Sequence, residues 1–426
     1  MSRSKKSLAG SILICLLLVV LAGCGSKGQS DNASSGGGGG GSGALKAGPG
    51  VTSKTITLGL LTDLSGVFAP LGKPIVQANQ LFWKEKNAQG GVCNRQVNLV
   101  VKDHGYDPQK AVVQYRELSS QVAGLQQLLG SPITAALLPS LKSDQMVSLL
   151  AAWPSSLLPN NNIIITGTTY DIEMINGLDY LLQEGKLKKG DKIGHVYFEG
   201  EYGENGLKGS KYFAKKNGMT VVEQKIKATD EDMSGQVSGL KRAGVKAIAL
   251  TTAPTQMASV AGIAASQGMN VPLIGNNPTY DPALLKTPAR KALEANAYIV
   301  SSIAPYNLDK PAVQKVASDY SEAYPKEVPK GSAPFGYMQS QLMFNILNQA
   351  CKNKDLTRAG LVKAAHQINN LDTGGLTAAP LTYTTIGQPS ERAVYIAQPA
   401  DEPGGLKALP QTFESDTAKT YQVGGT

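Results

Sequence analysis

Thr55-Ile56-Thr57-Leu58-Gly59-Leu60-Leu61 is a short apolar run rich in β-branched residues, and Val97-Asn98-Leu99-Val100-Val101 is another. Between them, about Lys73 to Ala88 reads as a helix that stops at Gly90-Gly91. Glycine just past a periodic stretch is a helix C-terminal signal, because it adopts the left-handed backbone without strain. Strand, helix, strand in this order predicts a parallel pair with the helix lying across it. Asp107-Pro108 then opens a further helix, with Asp as N-cap and Pro at the first helical position.

The alternation continues to the end of the chain. Leu125–Leu129, Met146–Leu150 and Asn162–Thr166 read as strands, with a helix from about Ile133 between the first two. Asp171 is placed to cap a helix over Ile172–Glu184. A second series follows, with strands at Lys192–Phe198, Thr220–Ile226, Ala247–Thr251 and Pro272–Gly275. Its helices are Gly203–Lys216, Met233–Ala243 and Thr255–Gln267. Ala297–Ser301 and helices over 311–323, 335–352 and 357–367 complete the pattern. The prediction is an α/β protein of two similar Rossmann-like βα lobes, and the body from about 54 to 426 has the length of two domains.

The N-terminus restricts where this body works. Arg3, Lys5 and Lys6 precede the apolar run Ile12–Val20, which ends in Leu21-Ala22-Gly23-Cys24. This resembles a bacterial lipoprotein signal, which implies removal of residues 1–23 and a lipid on Cys24. A spanning helix needs about 20 apolar residues, more than this run supplies, and the small-residue exit suits cleavage. Residues 24–53 then form a lipidated cysteine and a Gly/Ser tether, including six glycines at 36–41. Such a chain is a flexible coil spanning roughly 30 Å. The expected location is extracytoplasmic, anchored by lipid to the bacterial cell membrane, on its outer face or in a periplasm.

Of the formal charge of +9, three positive charges lie at Arg3, Lys5 and Lys6, leaving +6 for the remainder. The densest later run, Lys186, Lys188 and Lys189, reads as a solvated turn, and with no basic patch a nucleic-acid partner is excluded. His104, His195 and His366 are isolated, so no histidine-based metal motif exists and no metal or cofactor is expected. With Cys15 removed and Cys24 acylated, Cys93 and Cys351 remain. An exported protein with two cysteines favours one disulfide over two unpaired buried thiols.

Several segments together carry a family likeness: Thr62-Asp63-Leu64-Ser65-Gly66, Asn87-Ala88-Gln89-Gly90-Gly91, Lys102–Pro108, Leu129-Gly130-Ser131, Glu201–Leu207, Asp232–Val237 and Leu240–Gly244. In this order and spacing the chain resembles the leucine/isoleucine/valine-binding proteins of ABC importers, over about 51 to 400. The resemblance implies the type I periplasmic-binding-protein fold, two lobes joined by a three-crossover hinge. Lobe one would be 54–172 plus 302–373, and lobe two 173–301 plus the C-terminal 374–426. Ligands in such folds sit beyond the carboxyl ends of the strands, and closure is a hinge motion.

The site follows from that likeness. In Ser131-Pro132-Ile133-Thr134 the family uses hydroxyls and backbone amides to hold a carboxylate, as a helix N-terminus also does. Thr134 also fits a plain capping role. Trp153 in Ala152-Trp153-Pro154-Ser155-Ser156 is a candidate cleft wall, Ser155 a candidate hydrogen-bonding partner, and Phe68 a second wall or a core residue. Tyr202 matches a family position whose ring touches ligand. The surrounding Glu199, Glu201 and Glu204 make a phosphate loop untenable there. The family's amino-acid binders pair the ligand ammonium with an acid in the loop that here reads Gly275-Asn276-Asn277-Pro278-Thr279-Tyr280, with no acid before Asp281. Asn276 and Tyr280 suit an amide, hydroxyl or carbonyl, so an amino-acid-like, amide or aromatic small molecule is expected and branched-chain amino acids are not.

The function these features imply is the solute-binding lipoprotein of an ABC importer, a monomer whose partners are a small-molecule ligand, the membrane and an ABC permease. A ligand sensor of the same fold that signals to a membrane receptor is the alternative. An exported enzyme would need a catalytic constellation. The chain has no Gly-x-Ser-x-Gly, no His-Glu-x-x-His and no histidine near a nucleophile.

Overall fold

Thr55–Thr62 (β1) and Gln96–Asp103 (β2) pair in parallel in register, and Ala69–Ala88 (α1) is the helix between them. Pro108–Ser119 (α2), Gly124–Leu129 (β3), Ser131–Ser143 (α3), Ser148–Ala151 (β4) and Ile163–Ile165 (β5) follow. The five strands form one parallel sheet in the order β2-β1-β3-β4-β5. Helices cover both faces of such a sheet, so its strands read as apolar runs rather than as alternation. Ile56, Leu58, Leu60, Leu61, Leu125 and Leu128 are accordingly fully buried. The computed structural model describes residues 44–423 except Pro410, so the signal at 1–23, Cys24 and the glycine tract lie outside the described residues.

Tyr170–Gln183 (α4) leads into the second sheet. It comprises Lys192–Phe198 (β6), Thr220–Ile226 (β7), Ala247–Thr251 (β8), Leu273–Asn276 (β9), Ala297–Ser301 (β10), Tyr395–Pro399 (β11) and Leu406–Ala408 (β12). Their order is β12-β11-β10-β9-β8-β6-β7, with β11 and β12 antiparallel. Glu201–Lys216 (α5), Ser234–Ala243 (α6), Pro254–Ser266 (α7) and Arg290–Asn296 (α8) connect these strands. The glycines of α5 permit close approach: a Cβ on Gly203 would lie 1.9 Å from the Phe198 carbonyl oxygen, and one on Gly209 would lie 2.3 Å from that of Asp171.

Pro311–Ala323 (α9), Ser332–Lys352 (α10) and Arg358–Ala365 (α11) return to the first lobe, where α10 packs along α1. Asp416–Thr420 (α12) packs on α4. Cys93, past the end of α1, is disulfide-bonded to Cys351 at the end of α10, with Cα atoms 6.2 Å apart. The chain passes between the lobes after β5, after β10 and before β11. These crossovers touch: Thr168 N donates to Ser302 Oγ at 3.2 Å, and Ser390 Oγ donates to the Gly167 carbonyl at 2.8 Å. The molecule is thus the α/β, three-crossover, two-lobed fold.

Three expectations are corrected. The tether does not remain free to residue 53, because Lys46–Ala47 pairs in parallel with Asp355–Leu356 and Thr57 N bonds to the Gly50 carbonyl. Asp171 is not the cap of α4. Thr169 holds the N-cap position, and Asp171 turns inward to accept from Ser155, Thr169, Asn205 and Tyr421. The chain also does not leave the first lobe at 374. It first runs beside β5, where the Tyr383 hydroxyl donates to the Ile165 carbonyl at 3.0 Å, and joins the second sheet only at Tyr395.

Candidate functional site

The carboxyl ends of both sheets face one cavity enclosing about 1060 Å³, part of it continuous with bulk solvent. Its wall is built by loops that the family-like motifs hold in place. Asp63, fully buried, accepts from the backbone N–H groups of Ser65, Gly66 and Phe68, which folds the loop after β1 and turns Phe68 into the cavity. Asp103 accepts from Leu64 N and Ser65 Oγ, tying the Lys102–Pro108 segment to the same loop. Tyr106 then meets Phe68 edge-on with ring centroids 4.9 Å apart.

Phe68, Trp153, Tyr170 and Tyr202 form a continuous aromatic wall. Trp153, 2 % exposed, lies against Tyr170 at 6.0 Å and meets Phe335 edge-on at 5.5 Å. Its Nε1 donates to the Leu150 carbonyl at 3.2 Å, which leaves the ring face for the cavity. Tyr202 contacts Tyr170 at 4.8 Å and Phe68 at 6.1 Å. Its hydroxyl lies 2.8 Å from Asn276 Oδ1 and 3.0 Å from the Thr252 carbonyl. Burial raises the Tyr202, Tyr106 and Tyr170 phenols above their ordinary range, so all three remain neutral donors. Leu71, Ile75, Ile299, Ile303, Ala397 and Leu406 continue the lining with aliphatic surface.

The remaining polar features are few. Ser131, 2 % exposed, opens α3 and lines the cavity, and its Oγ makes no well-formed hydrogen bond, with the Tyr170 phenol interacting weakly beside it. Gly130 precedes it at φ 106°, where a Cβ would lie 2.9 Å from both Ile133 and Tyr106, so only glycine lets the chain present Ser131 here. Among the described residues, Asp281 and Lys330 are the charged groups of the lining, and they pair with each other at 2.7 Å.

Of the residues singled out from sequence, Phe68, Ser131, Trp153, Tyr202 and Tyr280 come together around the cavity. Three do not line it. Ser155 donates to Asp171 Oδ2 at 2.6 Å and accepts from Asn205, inside a buried network. The Thr134 hydroxyl bonds back to the Gly130 carbonyl at 2.9 Å. Asn276 is fully buried behind Tyr202, and Asn277 faces the cavity instead. The Tyr280 hydroxyl is occupied by the Gly405 carbonyl at 2.6 Å. Tyr106 sat inside a recognised motif and Tyr170 at a helix start, so both were within reach of sequence reading. Lys330 and Phe335 carried no local signal.

Two buried acids lie behind the lining. Glu173 accepts weakly from Asn277 N and Ser302 N, and Glu391 accepts from Ala379 N at 2.6 Å. Burial holds both carboxyls well above the ordinary range.

Two lobes joined by three crossovers around an apolar cavity are the architecture of a two-lobed binding fold. Residues 55–403 match the periplasmic binding protein family, and the chain belongs to it. A fatty acid ABC transporter substrate-binding protein from Thermomonospora curvata is 48 % identical and superposes with a TM-score of 0.87, covering 89 % of this chain and 97 % of that one. A branched-chain amino acid ABC transporter protein from Thermus thermophilus with bound valine shares the fold at 17 % identity, TM-score 0.76, covering 87 % of this chain and 99 % of that one. Leu/Ile/Val-binding protein homolog 7 of Brucella suis is 28 % identical over 220 residues, which cover 49 % of this chain and 55 % of that protein. The chain thus spans about half the length of the curated relatives it matches.

Proposed function

We propose that this chain is the extracytoplasmic solute-binding component of an ABC importer, lipid-anchored through Cys24, and that its cargo is a single-chain apolar acid of the fatty-acid type. The observation that carries the cargo class is the cavity lining. It is aromatic and aliphatic, and its one carboxylate among the described residues, Asp281, already has Lys330 as counter-ion. An amino acid's ammonium would find no free acid there, and a buried unpaired charge costs several kcal/mol. The amide or small aromatic first expected from Asn276 and Tyr280 loses its basis, because Asn276 is buried behind Tyr202, outside the lining, and the Tyr280 hydroxyl is occupied by the Gly405 carbonyl. An acid head fits the weakly engaged Ser131 hydroxyl and the first turn of α3. The fatty acid transporter relative at 48 % identity supports the same class.

The test is a thermal-shift series on delipidated protein with saturated fatty acids of increasing length, the matching alcohols, leucine, valine and aromatic amides. Each methylene buried contributes about 0.8 kcal/mol, so affinity should climb about fourfold per methylene until the cavity is filled. A shift with leucine or valine and none with any fatty acid would refute the cargo class.

A further inference from the structure

Lys330 and Asp281 stand on opposite lobes. Lys330 immediately precedes the N-terminus of α10, which packs along α1 in the first lobe, and Asp281 follows β9 in the second. Their atoms Nζ and Oδ2 are 2.7 Å apart, and the two side chains are 18 % and 3 % exposed. Among the described residues this is the one ion pair that joins the lobes, and every other ion pair lies within a lobe.

Both partners are fixed from behind. Pro74 sits inside α1 and has no N–H, so it cannot bond to the Pro70 carbonyl one turn earlier. Lys330 Nζ donates to that carbonyl at 3.2 Å. The vacancy that proline leaves in the helix is therefore a docking point that aims the lysine across the cleft. Asp281 Oδ1 accepts from Ala283 N at 2.8 Å, which fixes its carboxylate. The Lys330 backbone also forms a β-bridge with Gly404 of the second lobe. The pair lines the same cavity as Trp153, so it lies at the seam that parts when the lobes separate.

A buried ion pair is weak evidence for stability, because desolvation cancels much of the attraction. Here the two charges are solvated separately when the lobes part and satisfied by each other when they meet. We propose that Lys330–Asp281 is the latch of the closed state. It holds the lobes together over cargo and sets the dissociation rate without selecting the head group. This rests on the two-lobed binding reading above and not on the identity of the cargo.

The chain has two tryptophans, and both are buried: Trp83 in the core of the first lobe and Trp153 in the cleft. Acrylamide quenching of tryptophan fluorescence therefore reports opening through Trp153 without added labels. The experiment compares the full chain with K330M, D281N and the double variant, first without ligand and then with a fatty acid and its alcohol in stopped flow. The latch predicts greater quenching in both ligand-free single variants. It also predicts dissociation at least about tenfold faster, by the same factor for acid and alcohol, and a double variant no worse than either single one. Unchanged quenching in both single variants would overturn the latch, whatever the ligands do. Loss of acid binding alone in K330M would overturn it in favour of Lys330 as the cargo's counter-ion. Should the parent protein bind neither acid nor alcohol, the cargo class fails and the quenching arm still decides the latch. Melting curves identify any variant that does not fold, and D281N carries the test if K330M is that variant.

Discussion

On the proposed function, Ser131 and Trp153 divide the work of holding an amphiphile. The buried, weakly engaged Ser131 hydroxyl at the start of α3 offers a donor to an anion. A hydrogen bond to a charged group contributes about 1.5–3 kcal/mol. Ser131→Ala should therefore weaken a fatty acid by about tenfold or more and leave its alcohol nearly unchanged in calorimetric titration. Trp153→Ala should weaken both alike, because it removes cavity wall without touching the head. Equal effects of Ser131→Ala on acid and alcohol would place the head elsewhere. Glu391 gives a prediction about pH. Burial raises its native carboxyl well above the ordinary range, while the unfolded value stays near about 4.3. The native state then binds more protons, so this contribution is complete below the unfolded value and is lost as pH rises toward the native one. Glu391→Gln keeps the acceptor for Ala379 N and does not titrate. Its melting temperature should fall less than the parent's as pH rises above about 4.3, and parallel curves would contradict the assignment. At this scale the sequence showed the aromatic residues on loops that follow strands. It did not show Lys330, whose role depends on a carbonyl freed by Pro74, far away along the chain.

Elements were the most legible level. Lys192–Phe198, Thr220–Ile226, Ala247–Thr251 and Ala297–Ser301 are strands over the residues read from sequence, since short apolar runs bounded by turns leave few alternatives. Asp107 caps α2 as read, accepting from Gln109 N at 2.8 Å. Helix α1 starts at Ala69, one turn before the Lys73 that the sequence pattern predicts. Pro70 sits in its first turn, and Pro74 sits inside the helix where proline normally argues for an end. Asp171 fits a local capping rule, but a buried network contributed by Ser155, Asn205 and Tyr421, all distant in sequence, holds it instead. The ordering of residues 46–47 depends on Asp355–Leu356, which local composition does not reveal. The Cys93–Cys351 disulfide closes a separation of 258 residues and clamps the end of α1 to the end of α10. Its removal in the Cys93→Ser/Cys351→Ser variant should cost about 2–5 kcal/mol in denaturant unfolding, with ligand affinity within about twofold. A large loss of affinity would mean that the clamp also shapes the cleft.

For the whole molecule, two sheets place their strand ends around one cavity, and the crossovers that join them touch at Ser302, Thr168 and Ser390. Both the Phe68–Tyr202 contact and the Lys330–Asp281 pair join residues of the two lobes across this cavity. The two-lobed architecture was legible from the alternation of strands and helices. The cargo class was not, because it depends on which side chains are occupied by protein partners, a property of packing. Isothermal titration of the delipidated protein, with a long-chain fatty acid in one series and leucine in another, tests this most directly. The account predicts saturation by one fatty acid per chain, a negative heat-capacity change from apolar burial, and no heat from leucine. Saturable one-to-one binding of leucine with no response to the fatty acid would contradict it.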